Sequence, residues 1–498
     1  MFLQNTKNNY DEWSGMSILK EYPQFDGTDL ANLIKDRQIS SADVIDTVFY
    51  LIEKLNPKLN AIVRPLENEA RRTLEAGVSD GPFVGVPIVL KDEYLSVANV
   101  PNDQSSRLAA GWSRPYDTSL VSSYRNAGIV PVAKTNLPEL GASVTTDATL
   151  YGPCATPWDI TRNSGGSSGG SASAVAAGIV PLGYSNDGAG SIRIPASCCG
   201  VFGLKPTRAR VSTAPDGGEY WNGLVIEHAI TRSVRDSAAL LDATDGPKLG
   251  DYYCAPVKER PFLDEVTTEP RPLRIAFSAS PPFDAEVSPD CVAAMEDTAK
   301  LCESLGHHVE EAAPDFDGEK MAEALGALLC IHLSFGIDAM SDITGRPVNA
   351  ETVEQATLAL AQRGAEMSAV DLLGILELFT ATARQTAPFW ETYDLFLTPT
   401  LASPPVEHGY IYTNDPDADR YLDRWLKFVP FTPLANITGA PAMSVPLFWN
   451  ADGLPIGSHF IGRFGDEATL FQLAGQLERA APWAGKHPPV GAWSAFGD

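Results

Sequence analysis

Apolar side chains at Val44, Ile45, Val48, Leu51, Ile52 and Leu55 recur at the spacing of one helical face. This predicts an amphipathic helix, capped by Ser40 or Ser41 and ended by Asn56-Pro57. Thr28 is placed to cap a shorter helix running to Asp36, and Leu59 to Val63 reads as a strand. After Gly85 the period changes. Short apolar runs (Val86 to Leu90, Ile129 to Ala133, Ile179 to Tyr184) alternate with helical stretches, the pattern of a sheet covered by helices. Residues 273–278 predict another strand, followed by a helix to Leu305. Residues 318–392 predict almost unbroken helix, a layer or cap over one end of the sheet. Asp394 to Thr398 and Ala442 to Pro446 predict late strands, and Glu467 to Ala480 a closing helix. No repeat, heptad run or long linker divides the chain. The expectation is one α/β domain over 1–498: an N-terminal helical segment 1–75, a core 76–317, a helical layer 318–392 and a C-terminal part of the core 393–498.

Composition narrows the partners. The 498 residues are 44% hydrophobic and 20% charged, a globular balance. Against 37 basic side chains stand 63 acidic ones, a formal charge of −26. Such a surface repels phosphate backbones and anionic lipid, so neither nucleic acid nor a membrane is expected as a partner. The seven cysteines form no Cys-x-x-Cys pair and are too sparse for a disulfide framework. Cys198 and Cys199 read as small buried residues. Met1 to Trp13 lacks the apolar centre of a secretory leader, and no run of 18 uncharged apolar residues occurs. A reduced, cytoplasmic protein is expected.

The most unusual stretch is Ser164-Gly165-Gly166-Ser167-Ser168-Gly169-Gly170-Ser171. Composition alone suggests a flexible linker. Yet it feeds Ala172-Ser173-Ala174-Val175-Ala176-Ala177, a small-residue helix that Gly178 can end, and a glycine loop before a helix presents backbone N–H groups to a ligand. No lysine follows Gly170 as a P-loop requires, and the glycine spacing does not fit a dinucleotide fingerprint. A second loop, Ser185-Asn186-Asp187-Gly188-Ala189-Gly190-Ser191, again exposes a serine among small residues. Two such loops suggest acyl transfer, with N–H groups of Gly188 to Ser191 able to form an oxyanion hole. A serine nucleophile needs a base. No histidine lies between Gly85 and Pro206, although a distant one could fold in. Lys91, at the end of the apolar run Val86 to Leu90, is a candidate. Burial there would disfavour its charge and free it to act as a base. The alternative is a snorkelling lysine paired with Asp92.

Gly85-Val86-Pro87-x-x-x-Lys91-Asp92, the Gly165 to Ser171 run, and Asp187-x-x-Gly190-Ser191-Ile192-Arg193-x-Pro195-Ala196 together resemble the amidase signature family. Further matching pieces run from Lys134-Thr135-Asn136-x-Pro138-Glu139 to Leu454-Pro455-Ile456-Gly457. The resemblance spans nearly the whole chain. It implies a large mixed β-sheet with helices on both faces and a Ser–cis-Ser–Lys triad: Ser191 as nucleophile, Ser167 as cis-serine, Lys91 as base. It also implies an oxyanion hole from Gly188, Ala189, Gly190 and Ser191, and a backbone carbonyl of Gly141 facing the scissile amide. Ser168, Asn186, Asp187 and Arg193 become supporting residues, with Asp187 and Arg193 as an ion pair steadying the nucleophile loop. Common members carry a threonine at 186 and a glycine at 189. The Asn-Asp version, with Glu227-His228-Ala229-Ile230-Thr231-Arg232, is more similar to members acting on synthetic amides and urethanes.

The implied reaction is hydrolysis of a C–N bond in a small-molecule amide, cyclic amide or carbamate, with no cofactor and no metal. A homodimer is left open. The alternatives are the glutaminase subunit of a tRNA-dependent amidotransferase and a non-catalytic ligand-binding member of the fold. His307-His308 with Glu310 and Glu311 could hold a metal, but a solvated helix end is expected. Cys330-Ile331-His332 could line the pocket, but a helical core position is expected. Residues 216–227, with Tyr220 and Trp221, and the helical stretch 318–392 are expected to shape the pocket around an apolar group.

Overall fold

The computed structural model of the protein describes residues 10–13 and 16–496. The expectation drawn on Met1 to Trp13 falls mostly outside them. Ser40 caps the helix Ser41–Leu59 in a reciprocal pair with Asp43. The helix does not stop at Asn56-Pro57. Leu55 and Leu59 are both buried, and this apolar face carries the helix past the proline to a left-handed Asn60 (φ 51°). Asn56 instead brackets Ile62, accepting from its N–H at 2.7 Å and donating to its carbonyl at 2.9 Å, which starts the strand Ile62–Pro65. The shorter helix, Gly27–Lys35, is capped by Asp26, whose carboxylate accepts from Asp29 N. Thr28, expected as the cap, donates its hydroxyl to Asp236 at 2.7 Å.

Strands from both halves of the chain build one eleven-stranded mixed sheet. Across it the order is His308–Glu311, Arg274–Phe277, Leu395–Pro399, Pro455–Gly462, Ala442–Trp449, Phe202–Lys205, Ile226–Thr231, Leu182–Asp187, Pro87–Lys91, Val130–Thr135 and Ile62–Pro65. Its central strands are buried along their whole length, as expected where helices cover a sheet. The central triplet sets the site. Pro87–Lys91 runs parallel to both Val130–Thr135 and Leu182–Asp187, and Leu182–Asp187 runs antiparallel to Ile226–Thr231.

The strand expected over Ile179 to Tyr184 lies three residues later. Its last residues, Ser185, Asn186 and Asp187, are polar, and ladder pairing with Ile226–Thr231 keeps them in the sheet. His308–Glu311 is an edge strand, not a solvated helix end. His307 before it is buried, its Nδ1 accepting from Leu273 N at 3.1 Å and its Nε2 lying 2.8 Å from Gln476.

Residues 318–392 are helical as expected: Gly318–Thr344, Gln355–Glu366, Ala369–Thr386 and Phe389–Thr392. Gly318–Thr344 is long and apolar enough to cross a membrane by length and composition, although no 18-residue run in the sequence is free of polar side chains. Half of its most apolar stretch is buried in the protein, and Gln355–Glu366 lies so close that a Cβ on Gly364 would sit 2.0 Å from the Cys330 carbonyl.

Candidate active site

Pro87–Lys91 delivers Lys91 at its carboxyl end with no solvent exposure. Three polar atoms surround Nζ: Ser167 Oγ at 2.6 Å, Asn186 Oδ1 at 2.5 Å and Glu93 Oε2 at 2.8 Å. The pairing with Asp92 is not formed. Asp92 turns away, accepting from Asp103 N at 2.9 Å and lying 3.4 Å from Lys134 Nζ. Glu93 was not singled out in the sequence. One signal was available: a carboxylate two residues beyond a lysine that must be buried.

The Gly/Ser loop is an ordered, buried turn. Its Gly166-Ser167 peptide is cis, and Ser167 is 2% exposed. A Cβ on Gly166 would stand 2.7 Å from the Thr145 backbone, so only glycine lets the loop pass there. The helix that follows, Gly169–Ala176, is buried at every position. Its small side chains let it lie directly on Leu182–Asp187, where Ser171 donates to the Tyr184 carbonyl at 2.8 Å. Ser168 donates to the Asn186 carbonyl at 3.3 Å and ties the two serine loops together.

The nucleophile loop turns on Asp187. This carboxylate takes Arg193 Nε and Nη2, both at 2.9 Å, together with Gly190 N at 2.7 Å and Ile192 N at 3.2 Å. Burial alone would raise Asp187, but the Arg193 charge and its hydrogen bonds outweigh it and hold the carboxyl well below the usual carboxylate range. Arg193 is fully buried and also reaches the Thr432 carbonyl, Asn436 and His459. Of the four N–H groups expected as oxyanion donors, that of Gly190 is thus bonded to Asp187. The N–H groups of Gly188, Ala189 and Ser191 have no partner among the described residues.

Ser191 and Ser167 wall the same cavity, with Glu93, Gly141, Asn186, Gly188 and Ala189. Gly141 closes a short turn at φ +66°. Apart from Ser143, the rest of the wall is chiefly Tyr94, Val144, Ile194, Trp221, Val225 and Trp425. Trp425 Nε1 is buried without a hydrogen-bond partner. Tyr94 stacks on Tyr220 with ring centres 4.1 Å apart. The helical layer contributes no wall residue of its own. It acts through His332, which stacks on Trp221 (6.0 Å between ring centres) and bonds Asn222 Oδ1 at 2.8 Å. Burial pushes the His332 imidazole down to about 4, so it is neutral near pH 7.

Cys330, two residues before His332, is a core residue whose thiol is pushed up by burial. Among the described residues no three His, Cys, Asp or Glu side chains converge as a metal site, His307 and His308 included. Behind the site, Glu227 faces Asn186 across the antiparallel ladder and accepts from Tyr184 Oη at 2.5 Å. Burial, reinforced by the nearby Glu93 charge, lifts its carboxyl to about 7, against the Tyr184 bond and the Lys91 charge.

The amidase family model matches residues 43–471. The chain belongs to the amidase signature family. It is therefore an enzyme that hydrolyses amide C–N bonds. It is 34% identical over 479 residues to the 6-aminohexanoate-cyclic-dimer hydrolase of Paenarthrobacter ureafaciens, covering 93% of this chain and 96% of that one. A solved structure of 6-aminohexanoate cyclic dimer hydrolase with substrate superposes with a TM-score of 0.90 at 33% identity, over 94% of this chain and 99% of the other. A bacterial aryl acylamidase of the same family gives 0.83 at 26% identity, over 93% and 97%.

Proposed function

We propose that the chain opens a small-molecule amide, cyclic amide or carbamate through a seryl acyl-enzyme on Lys91, Ser167 and Ser191. The observation carrying this reading is the 2.6 Å contact between Lys91 Nζ and Ser167 Oγ, made in a cavity that Ser191 also walls. In the neutral state Lys91 takes the proton of Ser167, and Ser167 takes that of Ser191 as its Oγ attacks the carbonyl carbon. The oxyanion is met by the N–H groups of Gly188, Ala189 and Ser191. The same path returns a proton to the leaving nitrogen, and water then cleaves the acyl ester.

The wall supports a neutral, largely apolar substrate. Glu93 is the one charged side chain facing the cavity, and no lysine or arginine among its lining residues would hold a carboxylate. A panel of neutral anilides, lactam oligomers and carbamates, assayed with the purified chain, tests the class. Labelling by a fluorophosphonate tests the nucleophile: the label should fall on Ser191 and vanish in Ser191→Ala together with turnover. Turnover surviving in that variant would overturn the reading.

A further inference from the structure

We propose that Glu93 is a positioning residue of the reaction, the counter-ion that receives the charge created each time Lys91 takes up a proton. The inference rests on the triad reading above and adds a fourth member to it. It starts from the three atoms around Nζ: Ser167 Oγ at 2.6 Å, Asn186 Oδ1 at 2.5 Å and Glu93 Oε2 at 2.8 Å. An ammonium has three N–H bonds, and each finds an acceptor here. A neutral amine has two N–H bonds and one lone pair. The Asn186 carbonyl and the Glu93 carboxylate can only accept, so they keep the two N–H bonds. The lone pair is left facing Ser167 Oγ. Both protonation states are satisfied without moving a heavy atom, and the proton has one direction to travel.

In the transfer, the Ser167 O–H bond breaks and a new N–H bond forms on Lys91, while Ser167 Oγ takes the Ser191 proton. The negative charge passes to the substrate oxyanion and the positive charge appears on Nζ. Lys91 and Glu93 side chains are 0% and 4% exposed, so solvent supplies little compensation and the carboxylate does. Its relation to the lysine is that of the aspartate to the histidine in a Ser-His-Asp triad. Glu93 is itself fixed: Asn186 Nδ2 donates to the same Oε2 at 3.2 Å, and its Oε1 lies over the bare Cα of Gly141.

Other titratable groups face this centre. Glu227 approaches from the neighbouring strand but has its own donor in Tyr184 and no bond to Nζ. The phenols of Tyr94, Tyr184 and Tyr220 also sense the Glu93 charge, and burial raises all three.

The test is kcat/KM of the full chain from pH 5 to 10 on a neutral anilide. Wild type is compared with Glu93→Gln, Glu93→Asp and Glu227→Gln. Without the carboxylate the protonated lysine is less favoured, so in Glu93→Gln the rising limb should move to lower pH by about one to two units. The alkaline plateau should fall about ten- to a hundredfold, because the amine is a weaker base. Glu93→Asp keeps the charge and should bring the midpoint back towards wild type. Glu227→Gln should move it less than Glu93→Gln does. A Glu93→Gln profile that scales down with its midpoint unmoved would mean a structural role and overturn the inference. So would an unchanged profile. If Glu93→Gln does not fold, judged by its circular dichroism, Glu93→Asp decides: midpoint and plateau both identical to wild type overturn the proposal, and a plateau loss with a smaller acid shift supports it. Failure of the triad is read separately, as activity surviving in Lys91→Ala or Ser191→Ala.

Discussion

A Cβ added at Gly141 would stand 2.1 Å from Oε1 of Glu93. The glycine that the sequence marks for its carbonyl thus also makes room for the carboxylate beside the lysine. Gly141→Ala should lower kcat on a neutral anilide at least tenfold. The left-handed backbone (φ +66°) adds about 1 kcal/mol of destabilisation. Paired kinetics and urea unfolding check this. A variant that loses stability but keeps kcat would mean the alanine is accommodated without displacing Glu93.

Ser167→Ala should cost several orders of magnitude in turnover with the melting temperature little changed. Lys91 then keeps its bonds to Asn186 and Glu93 but loses its link to Ser191. The check is steady-state turnover on an anilide alongside the rate of fluorophosphonate labelling. A twofold effect on both would mean Lys91 reaches Ser191 by another route.

The Asp187 carboxyl is held below its ordinary value, so its ion pair with Arg193 stabilises the fold above the unfolded carboxyl pKa of about 3.9. That contribution is lost as pH falls from there through the folded value. Urea midpoints measured from pH 6 down to pH 2 should drop over this window. In Arg193→Met the protein should already be destabilised by about 3–5 kcal/mol at pH 7, an unpaired buried carboxylate being left behind. Its midpoint should fall less steeply in acid.

Glu227 has the opposite sign. Its folded pKa of about 7 lies above the unfolded value of about 4.3, so the native state is penalised progressively as pH rises between them. Glu227→Gln should leave stability at pH 4 unchanged. At pH 8 it should raise stability by about 3 kcal/mol, provided the amide still accepts from Tyr184. Thermal melts at the two pH values decide; equal effects at both would place the carboxyl's titration elsewhere.

His332→Ala should raise KM about five- to tenfold and leave kcat near wild type, since it frees Asn222 and unbacks Trp221 without touching Lys91 or either serine. With its imidazole neutral down to about pH 4, no histidine inflection in KM should appear between pH 6 and 8. A fall in kcat equal to the rise in KM would show that Trp221 positions the reacting bond as well.

The strands of the sheet were readable where apolar runs are long, as in Val86 to Leu90, but their order across it was not. They were not readable where a strand ends in function. Ser185, Asn186 and Asp187 look like loop because they are polar, yet they extend Leu182–Asp187 by pairing with Ile226–Thr231. The lysine and two serines stood out by motif. Glu93 did not, because a carboxylate near a lysine in sequence is usually a solvated surface pair; only burial on both sides changes its meaning. The engagement of Gly190 was hidden for a related reason: the sequence gives the N–H groups but not the acceptor, Asp187, that occupies one of them. The pocket wall drew on Tyr94, Val144 and Trp425, which are far apart in the chain and carry no local pattern.

Residues 318–392 supply no wall residue of the cavity, and His332 backs Trp221 from behind it. Part of the support behind the pocket wall is thus written in a stretch of chain that carries none of the proposed triad. Exchanging this layer with that of a relative, or randomising the face around His332, would sample new amides while leaving the proton path intact. That makes the helical layer a natural target of directed evolution.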